Sequence, residues 1–476
     1  MDFVLNWFLI GFPLVVLIYY LIPDRAKRFW MLVISWVFVM LAMPQALVWL
    51  LGITVISYLL GKVINKKKNK LLVIIGVCVL VLLMLCSRRL ENLQSIFNLE
   101  QGRIFAPIGT SFYMLQAIAY LVEVYKGNIK DRVDFWNYAL YLSFFPRFLS
   151  GPIERPERFI SQIQIKKNIP EYEVCKRASF FMLWGYFEKI VVADHAAIVV
   201  NVIFEEYAEH TGFILLCGAI LYGIQLYADF DGYCHIALGA AEFLGYHITI
   251  NFERPYFSRN IGEFWRRWHI SLSSWLRDYI YIPLGGSRNG KKRTYINLII
   301  TFFISGIWHG TGMKFIFWGM LHGGYQVMSR MTKKLREVAR TRLKINTRCF
   351  SYHLFQGILT FLMVDFAWIF FRADSLRQGI YFVRHMCVNF SLSQVVNTSI
   401  YGLNIESILI TTMTLGIIVL LFKDIMAECH IDLLEVIGRQ NFIFRWAIYI
   451  GICLCIACSY IQMIGMDASQ FIYGQF

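Results

Sequence analysis

Leu71-Leu72-Val73-Ile74-Ile75-Gly76-Val77-Cys78-Val79-Leu80-Val81-Leu82-Leu83-Met84-Leu85-Cys86 is an apolar run without a single charge, and Val4 to Ile22 is another. A run of roughly 18 apolar residues is long enough to cross the hydrocarbon core as a helix. Inside lipid every backbone N–H and C=O must be bonded within its own segment, so such runs fold as helices. Composition agrees: 58% of the 476 residues are hydrophobic and 16% are charged, where a soluble domain carries about a quarter charged residues. The first run has no charged region before it and no small-residue cleavage site after it, and reads as a retained span rather than a signal peptide. The net charge of +15 lies in loops between the apolar runs, which points to membrane topology and away from nucleic acid. The eleven cysteines are scattered and mostly lie inside apolar runs. Cys453, Cys455 and Cys458 share one expected helix without the flanking His or Cys of a zinc site. No motif fixes a metal, and none is expected.

The same reading finds about twelve membrane segments, near residues 4–22, 29–43, 45–61, 71–86, 104–124, 177–203, 212–229, 294–309, 312–328, 354–371, 405–422 and 445–463. Basic loops follow the odd-numbered segments. Examples are Lys62 to Lys70, the long loop with Arg254, Arg266, Arg267 and Arg277, and Arg330 to Arg348. The acidic loop with Glu205, Glu206 and Glu209 follows the sixth. The rule that basic loops face the cytoplasm puts both termini outside; Arg88 and Arg89 are a mild exception. Phe135 to Phe159 is apolar but short and broken by Pro and Gly, as a re-entrant or interfacial segment is. Gly232 to Ile282 mixes aromatics with Arg and Asp at helical spacing, as an interfacial helix does. No repeat, linker or low-complexity tract occurs, so residues 1–476 read as one all-α polytopic membrane domain.

Polar residues at membrane depth are costly and invite a functional reading. Ser305-Gly306-Ile307-Trp308-His309-Gly310-Thr311-Gly312 joins two apolar runs. From Thr294 to His309 an apolar helix would reach only about 24 Å, which leaves His309 within the membrane. A histidine titrates near working pH and is the usual general base; the alternative is a packing role between helices. The glycines permit close helix approach or backbone bends. A second cluster runs from Phe264 to Tyr279. In it Arg266, Arg267 and Arg277 suit the phosphates of a donor such as coenzyme A, or equally lipid headgroups. His269 is a second catalytic group or a structural hydrogen-bonder. In Tyr227-Ala228-Asp229-Phe230-Asp231-Gly232-Tyr233, at the inner end of the seventh segment, paired carboxylates suggest metal or acid–base work, or pairing with nearby arginines. His322 reads as a bundle-packing residue. The tail Phe471-Ile472-Tyr473-Gly474-Gln475-Phe476 has the aromatics of an interface anchor.

Together these stretches resemble the membrane-bound O-acyltransferase (MBOAT) family, in its AlgI/DltB-like branch. The resemblance runs from about Pro107 to Ala373, plus the tail. It includes Pro107-Ile108-Gly109-Thr110-Ser111-Phe112, Ser150-Gly151-Pro152-Ile153-Glu154-Arg155-Pro156, Asp229 to Tyr233, and Asn251-Phe252-Glu253-Arg254-Pro255-Tyr256. It continues through Glu263 to Ser273, Arg277-Asp278-Tyr279, Trp308-His309-Gly310 and Trp368-Ile369-Phe370-Phe371-Arg372-Ala373.

The resemblance implies the MBOAT fold, with re-entrant and interfacial helices around a central funnel whose neck holds His309. It carries the catalytic role to His309, the family's second histidine to His269, and a brief acyl-carrier role to Tyr473. Gly474 stands where an aromatic is common. Ile282-Pro283-Leu284-Gly285-Gly286 is similar to the acetylating, AlgI-like members. The implied activity is O-acetylation of an extracellular polysaccharide or cell-wall polymer. Cytosolic acetyl-CoA is the donor, no cofactor is permanently bound, and an extracellular or membrane-anchored SGNH-type transferase is the partner, all at a bacterial cell membrane. The alternatives are D-alanyl transfer from a carrier protein, and a transporter or scaffold without chemistry.

Overall fold

The computed structural model of the chain describes residues 11–97, 109–129, 133–310, 312–390, 403 and 405–464, and for 88–97 the backbone only. Among the described residues the regular elements are helices and no strand occurs. Six of the described helices are long and apolar enough to cross a membrane: Pro44–Lys67, Lys70–Ser87, Gly212–Phe243, Phe350–Arg372, Ser407–Glu428 and Phe442–Gln462. The chain is therefore an all-α polytopic membrane protein.

The other six expected segments also fall on helices where they are described, but on shorter or more polar ones. Phe12–Leu21 has 10 residues and Thr110–Lys126 has 17. Asp24–Ala42 opens on Asp24, Arg25, Lys27 and Arg28. Met313–Met331 carries Lys314, His322, Gln326 and Arg330. Gly290–His309 starts four residues before the expected edge, with Lys291, Lys292 and Arg293 in its first turn. The segment expected at 177–203 is a helix interrupted by a π-helical stretch, Phe187–Asp194.

By compactness the described residues form two units, 11–182 with 233–249, and 183–232 with 250–464. In the first, the expected re-entrant stretch is a nine-residue helix, Phe135–Ser143, then a 3₁₀ turn, Phe145–Arg147, then the helix Pro156–Gln164. Asp134 caps the first of these by accepting from the Asn137 N–H at 2.7 Å. Tyr138 ties that helix to its neighbour by donating to Ser57 Oγ at 2.7 Å. The buried Arg147 lies 4.2 Å over the Phe159 ring and donates to the Tyr141 carbonyl. Gly109 explains part of the Pro-Ile-Gly-Thr stretch. Its φ is +78°, and a Cβ there would sit 2.6 Å from the Phe148 carbonyl oxygen.

One expectation is corrected. The stretch beginning at Gly232 is not interfacial at its start: the helix Gly212–Phe243 runs 32 residues without a break. Asp229 and Asp231 therefore lie inside a helix and not at its end. No proline or capping residue interrupts the sequence there, and Gly232 serves packing instead. A Cβ at Gly232 would lie 2.8 Å from the Gly185 carbonyl oxygen of the neighbouring helix. Beyond Ile250 the stretch is short helical pieces rather than one helix, with Ile261–Arg267 and Ile270–Leu276 separated by a sharp turn at Trp268 and His269.

Candidate active site

Every group of the site discussed below belongs to the second unit. His309 is the last residue of its helix and is 2% exposed. It is held there by a close approach of two antiparallel helices. A Cβ at Gly306 would lie 2.4 Å from the Phe315 carbonyl oxygen, and one at Gly319 would lie 2.3 Å from that of Phe302. Only glycine at both places lets Gly290–His309 and Met313–Met331 meet backbone to backbone. Gly310 then turns the chain out: a Cβ there would lie 2.2 Å from the Phe315 ring. The imidazole is enclosed by aromatic rings, with centroid distances of 4.7 Å to Trp308, 4.9 Å to Trp318 and 5.2 Å to Phe371. Trp368 stacks on Trp318 at 5.5 Å and 19°. The Trp368 to Ala373 motif thus contributes one wall of this cage, Phe371, and Trp368, three residues earlier on the same helix face, which backs Trp318.

His269 is 1% exposed and its ring meets Trp308 edge-on at 6.1 Å between centroids. Phe230 meets its ring edge-on at 4.7 Å. The two histidines are 40 residues apart in sequence, yet both rings meet Trp308. His269 has φ +43°, ψ +54°, a left-handed conformation that costs about 1–3 kcal/mol in a non-glycine residue. Asn251 holds the turn. Its carbonyl accepts from the Ile270 N–H at 3.0 Å and its side-chain Oδ1 accepts from the Ser271 N–H at 3.1 Å. His269 lies outside the spanning helices, and burial pushes its pKa down to about 3, so the ring is neutral at working pH.

The three arginines do not share one environment. Arg267 grips Glu428 with two guanidinium nitrogens, at 2.8 and 3.2 Å, and reaches Glu263 at 2.7 Å. Arg254 joins it on Glu428 at 3.0 Å. Arg266, one residue and about 100° of helix away, is exposed. Arg277 is 63% exposed and meets only its neighbour Asp278, at 2.9 Å, among the ion pairs described. Trp265 donates to His322 Nδ1 at 3.3 Å, so His322 packs and bonds within the bundle as its position suggested.

Of the acidic pair, Asp229 has lysine among its described partners. Asp229 pairs with Lys189 at 2.5 Å, and Lys189 also reaches Asp194 at 2.8 Å. The π-helical stretch explains this: its i→i+5 bonding stacks residues five apart, which aligns Lys189 with Asp194. Next to them Lys423 lies 3.5 Å from Asp424, which accepts from the Tyr227 hydroxyl at 2.9 Å. Sequence reasoning gave no role to Asn251, Glu428, Trp318 or Lys189, because their partners lie far along the chain. It also passed over the buried Asp365, whose Oδ1 lies 2.5 Å from where a Cβ on Gly223 would be. Tyr473 lies outside the described residues.

Residues 18–371 match the MBOAT, membrane-bound O-acyltransferase family. The chain is 32% identical over 434 residues to a probable alginate O-acetylase, AlgI, of Pseudomonas syringae pv. tomato, covering 87% of this chain and 81% of that protein. It is 32% identical over 409 residues to a peptidoglycan O-acetyltransferase of Helicobacter pylori, covering 77% and 76%. A teichoic acid D-alanyltransferase of Streptococcus thermophilus is 28% identical over 250 residues, covering 50% of this chain and 60% of that protein. The matched residues take in both buried histidines and the whole aromatic cage, and the chain belongs to the membrane-bound O-acyltransferase family.

Proposed function

We propose that the protein takes an acetyl group from cytosolic acetyl-CoA and passes it across the membrane for O-acetylation of an extracellular polysaccharide or cell-wall polymer. The observation that carries this reading is His309: a buried histidine at a helix end, enclosed by aromatic rings, in a chain of an acyltransferase family. The acceptor hydroxyl gives its proton to His309 as its oxygen adds to the thioester carbonyl. The C–S bond then breaks, and the thiolate takes up the proton. His269, kept neutral, is a weak base but a competent hydrogen-bond donor. It suits the developing oxyanion better than it suits proton abstraction. Arg266 and Arg277, exposed as they are, suit the coenzyme phosphates, whereas the charge of Arg267 is taken up by Glu428 and Glu263.

In this reading Tyr473 is the first acceptor. Its phenol has an ordinary pKa near 10 and needs a base to attack a thioester. An SGNH-type transferase outside the membrane then delivers the acetyl group, with both termini of the chain on that side and about twelve crossings between them. D-alanyl transfer from a carrier protein is the second reading. The D-alanyltransferase likeness favours it, but that likeness spans half of the chain, against most of it for the O-acetylases.

The test follows label and thiol release together, with radiolabelled acetyl-CoA and purified protein. Wild type should become labelled and release thiol. His309→Ala should lose about a hundredfold to ten-thousandfold in rate, and Tyr473→Phe should carry no label. Normal turnover by His309→Ala would refute the assignment of the base, and labelled Tyr473→Phe would refute the carrier. A folded wild type that releases no thiol from acetyl-CoA would favour the carrier-protein donor.

A further inference from the structure

We propose that the helix Lys333–Arg342, with its flanks from Arg330 to Arg348, is a docking surface for the anionic headgroups of the membrane leaflet beside it. Three observations carry this. The first is charge. The stretch holds Arg330, Lys333, Lys334, Arg336, Arg340, Arg342, Lys344 and Arg348 against the single acid Glu337. The second is that the helix is unpartnered: none of its residues is buried. Leu335 is 70% exposed and Leu343 71% exposed, with Met331 and Val338 also exposed. The third is the arrangement. Within the helix Leu335 and Val338, three apart, share one face with Ala339 beside them, and Arg342 closes that face at its end. Lys333, Lys334, Arg336 and Arg340 lie off that face.

Intramolecular contacts take up few of these cations. Lys333 reaches Glu337 at 3.9 Å, Arg336 donates to the Ser329 carbonyl, and Arg340 lies over the Tyr352 ring at 5.4 Å. Lys334, Arg342, Lys344 and Arg348 make no ion pair among the described residues. A helix with one apolar face, a cationic remainder and no protein cover lies in the interface plane of a membrane. Its apolar residues enter the acyl boundary, while its lysines and arginines reach to the headgroups. The helix sits between Met313–Met331, which carries Trp318, and Phe350–Arg372, which carries Trp368 and Phe371. Anionic lipid therefore fixes one end of both helices that wall His309.

The test is hydrogen exchange of the full-length protein in nanodiscs of phosphatidylcholine alone or with phosphatidylglycerol. The contributions of several basic residues at an anionic surface add, so amides 335–342 should exchange at least about tenfold more slowly with phosphatidylglycerol. The variant Lys333→Gln, Lys334→Gln, Arg336→Gln changes only exposed helical positions and should lose that protection; adding Arg340→Gln, at a residue half-buried over Tyr352, should not restore it. The wild type should lose it too in 1 M salt, where screening is nearly complete. Equal exchange in the two lipids would overturn the proposal, as would protection that survives the threefold variant. Protection by an added acidic carrier protein, without any response to phosphatidylglycerol, would also overturn it and make the surface a protein dock.

Discussion

Gly306→Ala tests the geometry that places His309. The added Cβ would lie 2.4 Å from the Phe315 carbonyl oxygen, 3.1 Å from its carbonyl carbon and 3.2 Å from Ile316 Cα. All three are backbone atoms, so no rotamer change relieves the contact. Non-bonded heavy atoms settle near 3.5 Å, so the two helices must part by about 1 Å. Overpacking of this kind costs about 1–3 kcal/mol. The same displacement carries His309, three residues on, away from Trp318 across the gap. A misplacement of about 1 Å in a reacting group costs on the order of a hundredfold in rate. Thermal unfolding in detergent and thiol release from acetyl-CoA measure the two effects separately. Gly324→Ala is the control: it lies on the same helix as Gly319, and nothing comes within 4 Å of its added Cβ. It should keep activity and gain up to about 1 kcal/mol of helix propensity. The reasoning fails if Gly306→Ala unfolds and turns over as wild type does, or if Gly324→Ala is equally damaged.

Arg266→Gln should raise the KM for acetyl-CoA with the thermal midpoint unchanged. Arg267→Gln should lower the midpoint, because hydrogen bonds between charged groups are worth about 1.5–3 kcal/mol; the opposite pattern would reverse the assignment of the two arginines. Asn251→Ala leaves the Ser271 N–H without its acceptor at a cost of about 1–3 kcal/mol, seen as a lower midpoint and, through His269, a lower kcat. Lys189→Met strands Asp194 and Asp229 and should destabilise by about 3–5 kcal/mol, while adding Asp194→Asn and Asp229→Asn should restore much of the midpoint. His269 has its folded pKa depressed to about 3 below an unfolded value near 6.5, so the unfolded chain binds the extra proton between them and stability is lost as pH falls through that window. His269→Gln should make the midpoint less sensitive between pH 6.5 and pH 4, and an unchanged acid slope would count against a buried neutral ring.

How far the sequence could be read depended on the range of the interactions. Leu71 to Cys86 needed no partner to be recognised as a span, because lipid alone dictates its helix. The glycines around His309 signalled close approach correctly, since a missing side chain is visible without its neighbour. Asp229 was different. Its carboxylate was seen, but its partner Lys189 lies forty residues earlier and is brought into line by a π-helical stretch that no local pattern announces. The helix through Gly232 was missed for a related reason. Glycine beside two aspartates looks like a helix end, and only the Gly185 carbonyl across the interface shows it to be a contact.

The two histidines illustrate why identity alone does not assign a role. Both are almost fully buried and both touch Trp308, so composition and surroundings barely separate them. Their places on the helices do. His309 closes the helix Gly290–His309 at its C-terminal end, where the aligned peptide dipoles stabilise a cation by about 0.3–1 kcal/mol. An imidazolium formed there during proton transfer is supported by the backbone itself. His269 stands at the opposite kind of end, before Ile270–Leu276, where the same dipoles oppose a cation. In the proposed mechanism this assigns the acceptor's proton to His309 and leaves the N–H of His269 for the developing oxyanion. The strained backbone at His269 fits that division. A group that must hold one orientation through the reaction gains from a turn fixed by Asn251. A group that takes up and releases a proton gains more from the helix end that stabilises its charge.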